Sequence, residues 1–192
     1  NKERLQRVYR LADETGSWTL MTTPSDANRG IHPGGQGGKH FSFLADRTDA
    51  TVVFIGGDRQ PLDTANWPNA TGAIDFTGRL FRGDFNPLDG STAWISITDN
   101  GAAGVTLPGA GVAAGSAPHA DSRAMIFDRE GNILEVDDGG IYRLTNPNGT
   151  NATRAWSSLN GNLCRLAIGR HETNACLRNC MPLGSPLTGP IR

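Results

Sequence analysis

Residues 121–140, DSRAMIFDREGNILEVDDGG, contain two short apolar runs separated by a polar turn. The first run ends at Asp128, and the second ends on Asp-Asp-Gly-Gly. An earlier stretch, HFSFLADRTDATVVFIGGD at residues 40–58, has the same plan, and its first run ends at Asp46. Apolar runs of this length, bounded by Asp, Asn and Gly, predict β-strands joined by tight turns.

A second pattern occurs three times along the chain. Each copy has an apolar residue, an aromatic residue and an arginine in series, then a polar turn and a tryptophan that opens another strand. The copies are RVYRLADETGSWTLM (7–21), GRLFRGDFNPLDGSTAWISI (78–97) and GIYRLTNPNGTNATRAWSSL (140–159). Together the two patterns form a unit of four short antiparallel strands, A to D, with a period of roughly 60 residues. The predicted fold class is all-β, with the units arranged as blades of a β-propeller.

The turn before each tryptophan resembles the Asp-box, which reads Ser or Thr, any residue, Asp, any residue, Gly, two more residues and Trp. ADETGSW (12–18) and LDGSTAW (88–94) are one residue out of register, and TNPNGTNATRAW (145–156) carries an insertion. On these residues the chain resembles the sialidase-like β-propeller repeat family, which includes sialidases and sortilin-type and xyloglucanase-type propellers. The resemblance implies a secreted or cell-surface bacterial protein. The Asp and Gly residues of such turns are expected to serve turn geometry.

The repeat predicts four segments: a half blade (1–21), a blade with an insert at 59–77 (22–100), a second blade (101–162) and a divergent tail (163–192). Two and a half blades cannot close a ring, because propellers need roughly four to eight. Either the chain is part of a longer protein or copies of it assemble. We expect a homo-oligomer, a homodimer with six blades, in which the tail supplies the missing strands of the first blade.

Composition limits the partners of this protein. The formal net charge is -1 and the 18 basic residues are dispersed, so nucleic acid is not an expected partner. No apolar stretch approaches the roughly 20 residues that span a bilayer, so no membrane partner is expected. The three cysteines, Cys164, Cys176 and Cys180, all lie in the tail and provide no disulfide framework for the rest of the chain.

Strand order predicts which polar residues share a face. If strand A is innermost, the D-to-A and B-to-C connections emerge on the same side of the sheets. That side would carry three histidines and four aspartates, namely His32, His40, His119, Asp58, Asp121, Asp137 and Asp138. Imidazole and carboxylate groups that converge suit a divalent metal ion, zinc rather than calcium.

Such a metal would activate a water for hydrolysis of a small ester or phosphoester. Asp121 or Asp138 would then be the general base or a bridging ligand. The structural alternative is that Asp121 and Asp58 accept backbone N–H bonds at strand ends, while the His119 ring packs beside Pro118.

Two further functions remain open from the sequence. One is a non-catalytic binding or scaffold module, for glycans for example, with Trp67 in the insert as a candidate contact. The other, implied by the family, is a glycoside hydrolase-like remnant, which requires two suitably spaced carboxylates. A sialidase would also need a nucleophilic tyrosine. Tyr9 and Tyr142 occupy the repeated aromatic position and are expected to lie in the core.

Overall fold

Ten β-strands make up the regular structure of the described residues. A computed structural model describes residues 3–24, 30–59, 77–98, 118–150 and 153–160. The strands are β1 (Val8–Arg10), β2 (Thr19–Met21), β3 (Ser42–Ala45), β4 (Val52–Arg59), β5 (Gly78–Phe85), β6 (Thr92–Ser96), β7 (Ala124–Phe127), β8 (Ile133–Asp137), β9 (Gly140–Thr145) and β10 (Ala155–Ser158). The described residues contain no helix, so the predicted all-β class is confirmed.

The strands form three antiparallel sheets in chain order. The first sheet is the hairpin β1–β2, the second is the meander β3-β4-β5-β6, and the third is the meander β7-β8-β9-β10. The first strands of the two meanders, β3 and β7, lie next to each other. The predicted four-stranded antiparallel units are therefore present, although the described residues do not form a closed ring.

The second sheet is buried on both faces because it lies between the other two. Val53 and Ile55 of β4 pack toward the hairpin, in a cluster that includes Val8 and Met21. On the opposite face Phe54 belongs to the cluster that joins the second and third sheets. This is why seven consecutive residues of β4 are buried. By contrast β8 alternates, with its buried side chains all on the face toward the second sheet.

The Asp turns between strands are stabilised by their own side chains. Asp46 Oδ1 accepts hydrogen bonds from the backbone N–H groups of Thr48 and Asp49 at 2.7 and 3.0 Å. Asp13 and Asp89 each accept one from the backbone N–H two residues later, at 2.8 Å in both cases. These contacts agree with the expected role of the repeated Asp residues in turn geometry.

Parts of the predicted organisation fall outside the described residues. Most of the predicted insert, residues 60–76, is one such part, and the whole predicted tail, 163–192, is another. Trp67 and the three cysteines lie there too. Within the described residues, no helix is long and apolar enough to cross a membrane.

Candidate metal centre

Four polar side chains meet where the second and third sheets adjoin. His40 precedes β3, and Asp58 is the penultimate residue of β4, so both belong to the second sheet. Asp121 precedes β7, and Asp138 lies in the tight turn between β8 and β9 of the third sheet. By strand register Asp58 and Asp138 are equivalent positions of the two meanders. The repeat therefore places one carboxylate per sheet at the same junction.

His40 is central to the group. Its ring Nδ1 lies 2.8 Å from Asp121 Oδ1 and 3.9 Å from Asp58 Oδ1. One potential ligand atom from each of His40, Asp121 and Asp138 lies within 4.8 Å of the other two. The group therefore could hold a metal ion.

The facing atoms of this group lack hydrogen bonds. His40 is 5% exposed and Asp58 is 0% exposed. Within the described structure, His40 Nδ1, Asp58 Oδ1 and Asp121 Oδ1 are buried without a hydrogen-bond partner. The imidazole approaches Asp121 closely, but the two groups are not aligned as a hydrogen bond. A buried polar atom without a hydrogen bond costs about 1–3 kcal/mol, and a cation held by His40, Asp121 and Asp138 would offset part of that cost.

The backbone of Asp121 directs its carboxylate toward His40. Asp121 has a φ of 73°, in the left-handed region that residues other than glycine rarely adopt. The next residue is fixed by a hydrogen bond from the Ser122 N–H to the Gly57 carbonyl at 2.9 Å. Backbone strain of this kind persists only where the surroundings impose it, and it is concentrated at functional sites.

Burial sets the electrostatics of Asp58. Desolvation raises the pKa of the Asp58 carboxyl above its usual value, and the charge of Asp121 raises it further. The neighbouring His32 imidazole and the N–H of Gln36, which donates to Oδ2 at 3.3 Å, act in the opposite direction. The alternative role expected for Asp58, accepting a backbone N–H at a strand end, therefore holds for one of its oxygens. Oδ2 accepts a backbone N–H, whereas Oδ1 faces His40. A bound cation would offset the cost of ionising this carboxyl.

Asp138 forms the exposed rim of the group. Its Oδ1 accepts hydrogen bonds from Arg123 Nη2 at 2.8 Å and Nε at 3.2 Å. The side chains of Arg123 and Asp138 are 45% and 43% exposed. The site is consequently closed on the side of His40 and Asp58 and open to solvent on the side of Asp138.

The other predicted ligands lie outside this group. Both ring nitrogens of His32 contact the backbone, since Nδ1 accepts from the Leu5 N–H at 3.0 Å and Nε2 lies 2.8 Å from the His40 carbonyl oxygen. His32 therefore supports the backbone of His40 from behind. The ring of His119 lies beside Gly139, and its Nδ1 is 3.3 Å from the carbonyl oxygen of Ala120.

Asp137 belongs to a separate, buried acidic pair. Glu135 and Asp137 are 0% and 7% exposed and point toward the second sheet from β8. Burial raises the pKa of Glu135 well above its usual range, and the charge of Asp137 adds to that effect. Burial also raises the pKa of Asp137 to about 6. Glu135 Oε2 and Asp137 Oδ2 have no other hydrogen-bond partner in the described structure, and hydrogen bonding between the two carboxyl side chains contributes to both pKa shifts.

A short chain of hydroxyl groups holds this pair. Ser122 Oγ donates to Glu135 Oε1 at 2.7 Å and lies 2.6 Å from Ser42 Oγ. Gly56 makes room for the chain, because a Cβ there would lie 2.6 Å from Ser122 Oγ. Sequence reasoning missed Glu135 and both serines. The available signal was a glutamate at a core-facing position of the alternating run ILEVD (133–137).

Comparisons of the chain with protein-family models, curated proteins and solved structures find no match.

Proposed function

We propose that His40, Asp58, Asp121 and Asp138 bind a divalent metal ion that activates water for the hydrolysis of a small ester or phosphoester. The observation that carries the proposal is the convergence of buried ligand atoms without hydrogen bonds, led by His40 Nδ1 and Asp58 Oδ1. Native structures rarely leave such atoms unpaired.

The donor set favours zinc over calcium. One imidazole nitrogen with carboxylate oxygens suits zinc and other first-row metals, whereas calcium binds oxygen ligands alone and in greater number. His40 has one nitrogen facing the group, and burial on that side restricts the number of waters that could complete a large coordination shell. Zinc is therefore the metal to test first, with manganese and calcium as comparisons.

The open side of the group is suited to a substrate. A bound divalent ion lowers the pKa of a coordinated water and polarises a carbonyl or phosphoryl oxygen. The water oxygen would bond to the acyl carbon or phosphorus, its proton would pass to a carboxylate, and the alcohol would leave. Asp121 and Asp138 are the candidate bases, since their side chains are 22% and 43% exposed.

Arg123 favours an anionic substrate. Its guanidinium lies beside Asp138 at the rim of the group and is 45% exposed. A planar guanidinium binds two oxygens of a phosphate at once. Among small esters, a phosphodiester is therefore better matched to this rim than a neutral carboxylic ester.

The test measures metal content and hydrolysis in the same preparations. Wild-type protein is expected to bind one zinc per chain by calorimetry and elemental analysis, and to cleave bis(p-nitrophenyl) phosphate in a chelator-sensitive manner. His40→Ala and Asp121→Asn are expected to lose at least tenfold in zinc affinity. Asp89→Asn, in a turn remote from the group, is the matched control and should bind as wild type does. Absence of metal in every preparation, with no hydrolysis before or after chelation, would refute the proposal.

A non-catalytic binding module is the second candidate function. Phe41 and Phe43 are 37% and 47% exposed, and their ring centroids are 6.4 Å apart. A cavity of about 450 Å³ beside Phe41 is lined by Glu3, Arg4 and His32 among others. Exposed aromatic rings next to polar groups suit the apolar faces of sugars. Specific retention on a glycan array, lost in Phe41→Ala, would favour this candidate.

The third possibility, a glycoside hydrolase-like remnant, finds less support. The closest carboxyl pair in β8, Glu135 and Asp137, is buried between the second and third sheets. Glycoside hydrolysis needs both carboxyl groups to reach the sugar. Tyr142 is also buried, and this leaves Tyr9, on the first hairpin, as the accessible tyrosine.

We further propose that the three sheets are consecutive blades of a β-propeller of the sialidase-like repeat type. Two features support this interpretation. The sheets pack face to face in chain order, and the first strands of the second and third sheets are adjacent. In addition, the indole Nε1–H groups of Trp94 and Trp156 donate to the preceding sheet, at Thr22 and Ile97 carbonyl oxygens 2.8 and 2.7 Å away.

A further inference from the structure

The last sheet has an apolar outer face. On β7 to β9 this face carries Ile126, Val136 and Ile141, which are 63%, 37% and 40% exposed. Leu159, immediately after β10, is 42% exposed. Exposed apolar side chains on neighbouring strands form a contiguous patch, and such patches mark interaction surfaces. We call these four residues, together with Leu134 of β8, the outer face of the third sheet.

The same positions are buried in the second sheet. Ile141 occupies the same position in the third sheet as Leu80 in the second sheet. Leu80 pairs with β4 and Ile141 pairs with β8, at equivalent residues of these two strands. Leu159 corresponds to Ile97, because the Leu159 N–H donates to Ile141 at 2.8 Å as the Ile97 N–H donates to Leu80 at 3.0 Å. Leu80 and Ile97 are 0% and 1% exposed and belong to the cluster that packs on the third sheet. The outer face of the third sheet is thus built to contact a further sheet.

The first hairpin presents the complementary surface. Tyr9, Trp18 and Leu20 are 44%, 67% and 52% exposed. In the repeat, Trp18 corresponds to Trp94 and Trp156, whose side chains pack against the preceding sheet in the two clusters. Each of those two indole groups donates a hydrogen bond to the end of the preceding sheet. The hairpin therefore carries the side chains of this contact without a preceding sheet among the described residues of its own chain.

We propose that the hairpin of a second copy of this chain docks on the outer face of the third sheet. The contact repeats the two interfaces already present within the chain, and Trp18 of the second copy donates its Nε1–H to the Leu159 carbonyl oxygen. The proposal rests on the blade interpretation given above. The described residues of two copies joined head to tail supply twice three sheets, six in all, which lies within the roughly four to eight blades of closed propellers. A closed dimer forms this heterologous contact twice.

Light scattering and sedimentation velocity test the assembly. The wild-type chain is expected to be a dimer at micromolar concentration. Ile141→Lys and Trp18→Ala should each shift it to monomer, with an increase of at least tenfold in the dissociation constant. Leu88→Lys replaces an apolar side chain that is 93% exposed in a turn, and this control should remain a dimer. Far-UV circular dichroism, which reports the secondary structure of each chain, verifies that each variant is folded.

Cross-linking tests the geometry of the contact. In a background with the three native cysteines changed to serine, Trp18→Cys and Leu159→Cys proteins are prepared separately. The mixture should form a disulfide-linked dimer, while neither protein alone should. A wild-type monomer at all concentrations, or equal cross-linking in the unmixed samples, contradicts the proposal. Either result leaves the metal proposal intact, because all four of its ligands come from one chain.

Discussion

A single buried glutamate, Glu135, gives the clearest residue-level prediction. Its pKa is raised mainly by burial, so the folded state prefers the protonated form, which can donate to Asp137. A group whose pKa is raised in the folded state stabilises the folded protein, and this stabilisation is fully present at pH values below the ordinary pKa of glutamate. That stability is lost as pH rises through the folded-state pKa, because the unfolded chain ionises first. Glu135→Gln keeps a neutral donor at this position and should remove this loss.

Urea unfolding of wild type and Glu135→Gln from pH 4 to pH 9 measures the effect. The two proteins should have similar unfolding free energies at the acid end, and the variant should be the more stable at the alkaline end. Glu130→Gln, at an exposed glutamate in the turn before β8, is the control and should follow wild type throughout. A difference between wild type and Glu135→Gln that does not change with pH contradicts the prediction.

At the level of strands, the alternation and turn residues were enough to predict the fold class. The apolar runs and Asp turns of residues 40–58 and 121–140 are local signals, and they correspond to the pairs β3–β4 and β7–β8. The same local pattern could not tell a buried aromatic residue from an exposed one. Tyr142 is 4% exposed and Tyr9 is 44% exposed, although both occupy the same place in the repeat. The difference depends on whether a preceding sheet covers the strand, which is not a local property.

Trp94 and Trp156, in the last strands of the second and third sheets, each contact the preceding sheet, and they differ in burial. The Trp156 indole is 2% exposed and donates to Ile97, whereas the hydrogen bond from Trp94 to Thr22 is exposed. Trp156→Phe loses a buried hydrogen bond and packing volume, and we expect a cost of about 2–3 kcal/mol. Trp94→Phe should cost less than about 1 kcal/mol. Denaturant unfolding compares them, and equal costs would show that burial does not determine the difference.

The candidate metal centre depends on how separate sheets come together. Strand order alone predicts that His40, Asp58, Asp121 and Asp138 share one face, because connections on the same side of adjacent sheets must be neighbours. It also predicts Asp137 on that face, yet successive strand residues point to opposite faces, and Asp137 pairs with Glu135 instead. The strand register decides which of two neighbouring aspartates points toward the candidate metal centre, and the cross-strand pairing of β8 and β9 sets that register. Sequence spacing alone does not specify it.

Because the proposed ligands come from the second and third sheets, zinc should stabilise the contact between them. At a free zinc concentration of about 100 times the dissociation constant, binding only to the folded state adds about 2.7 kcal/mol. For a chain of this length that corresponds to a rise in Tm of roughly 5–10 °C. Thermal unfolding at pH 7 with zinc and with chelator measures the shift, which should be absent in His40→Ala and retained in Asp89→Asn. An equal shift in His40→Ala would assign the binding to other groups, such as the three cysteines of the tail, whose replacement by serine would then abolish it.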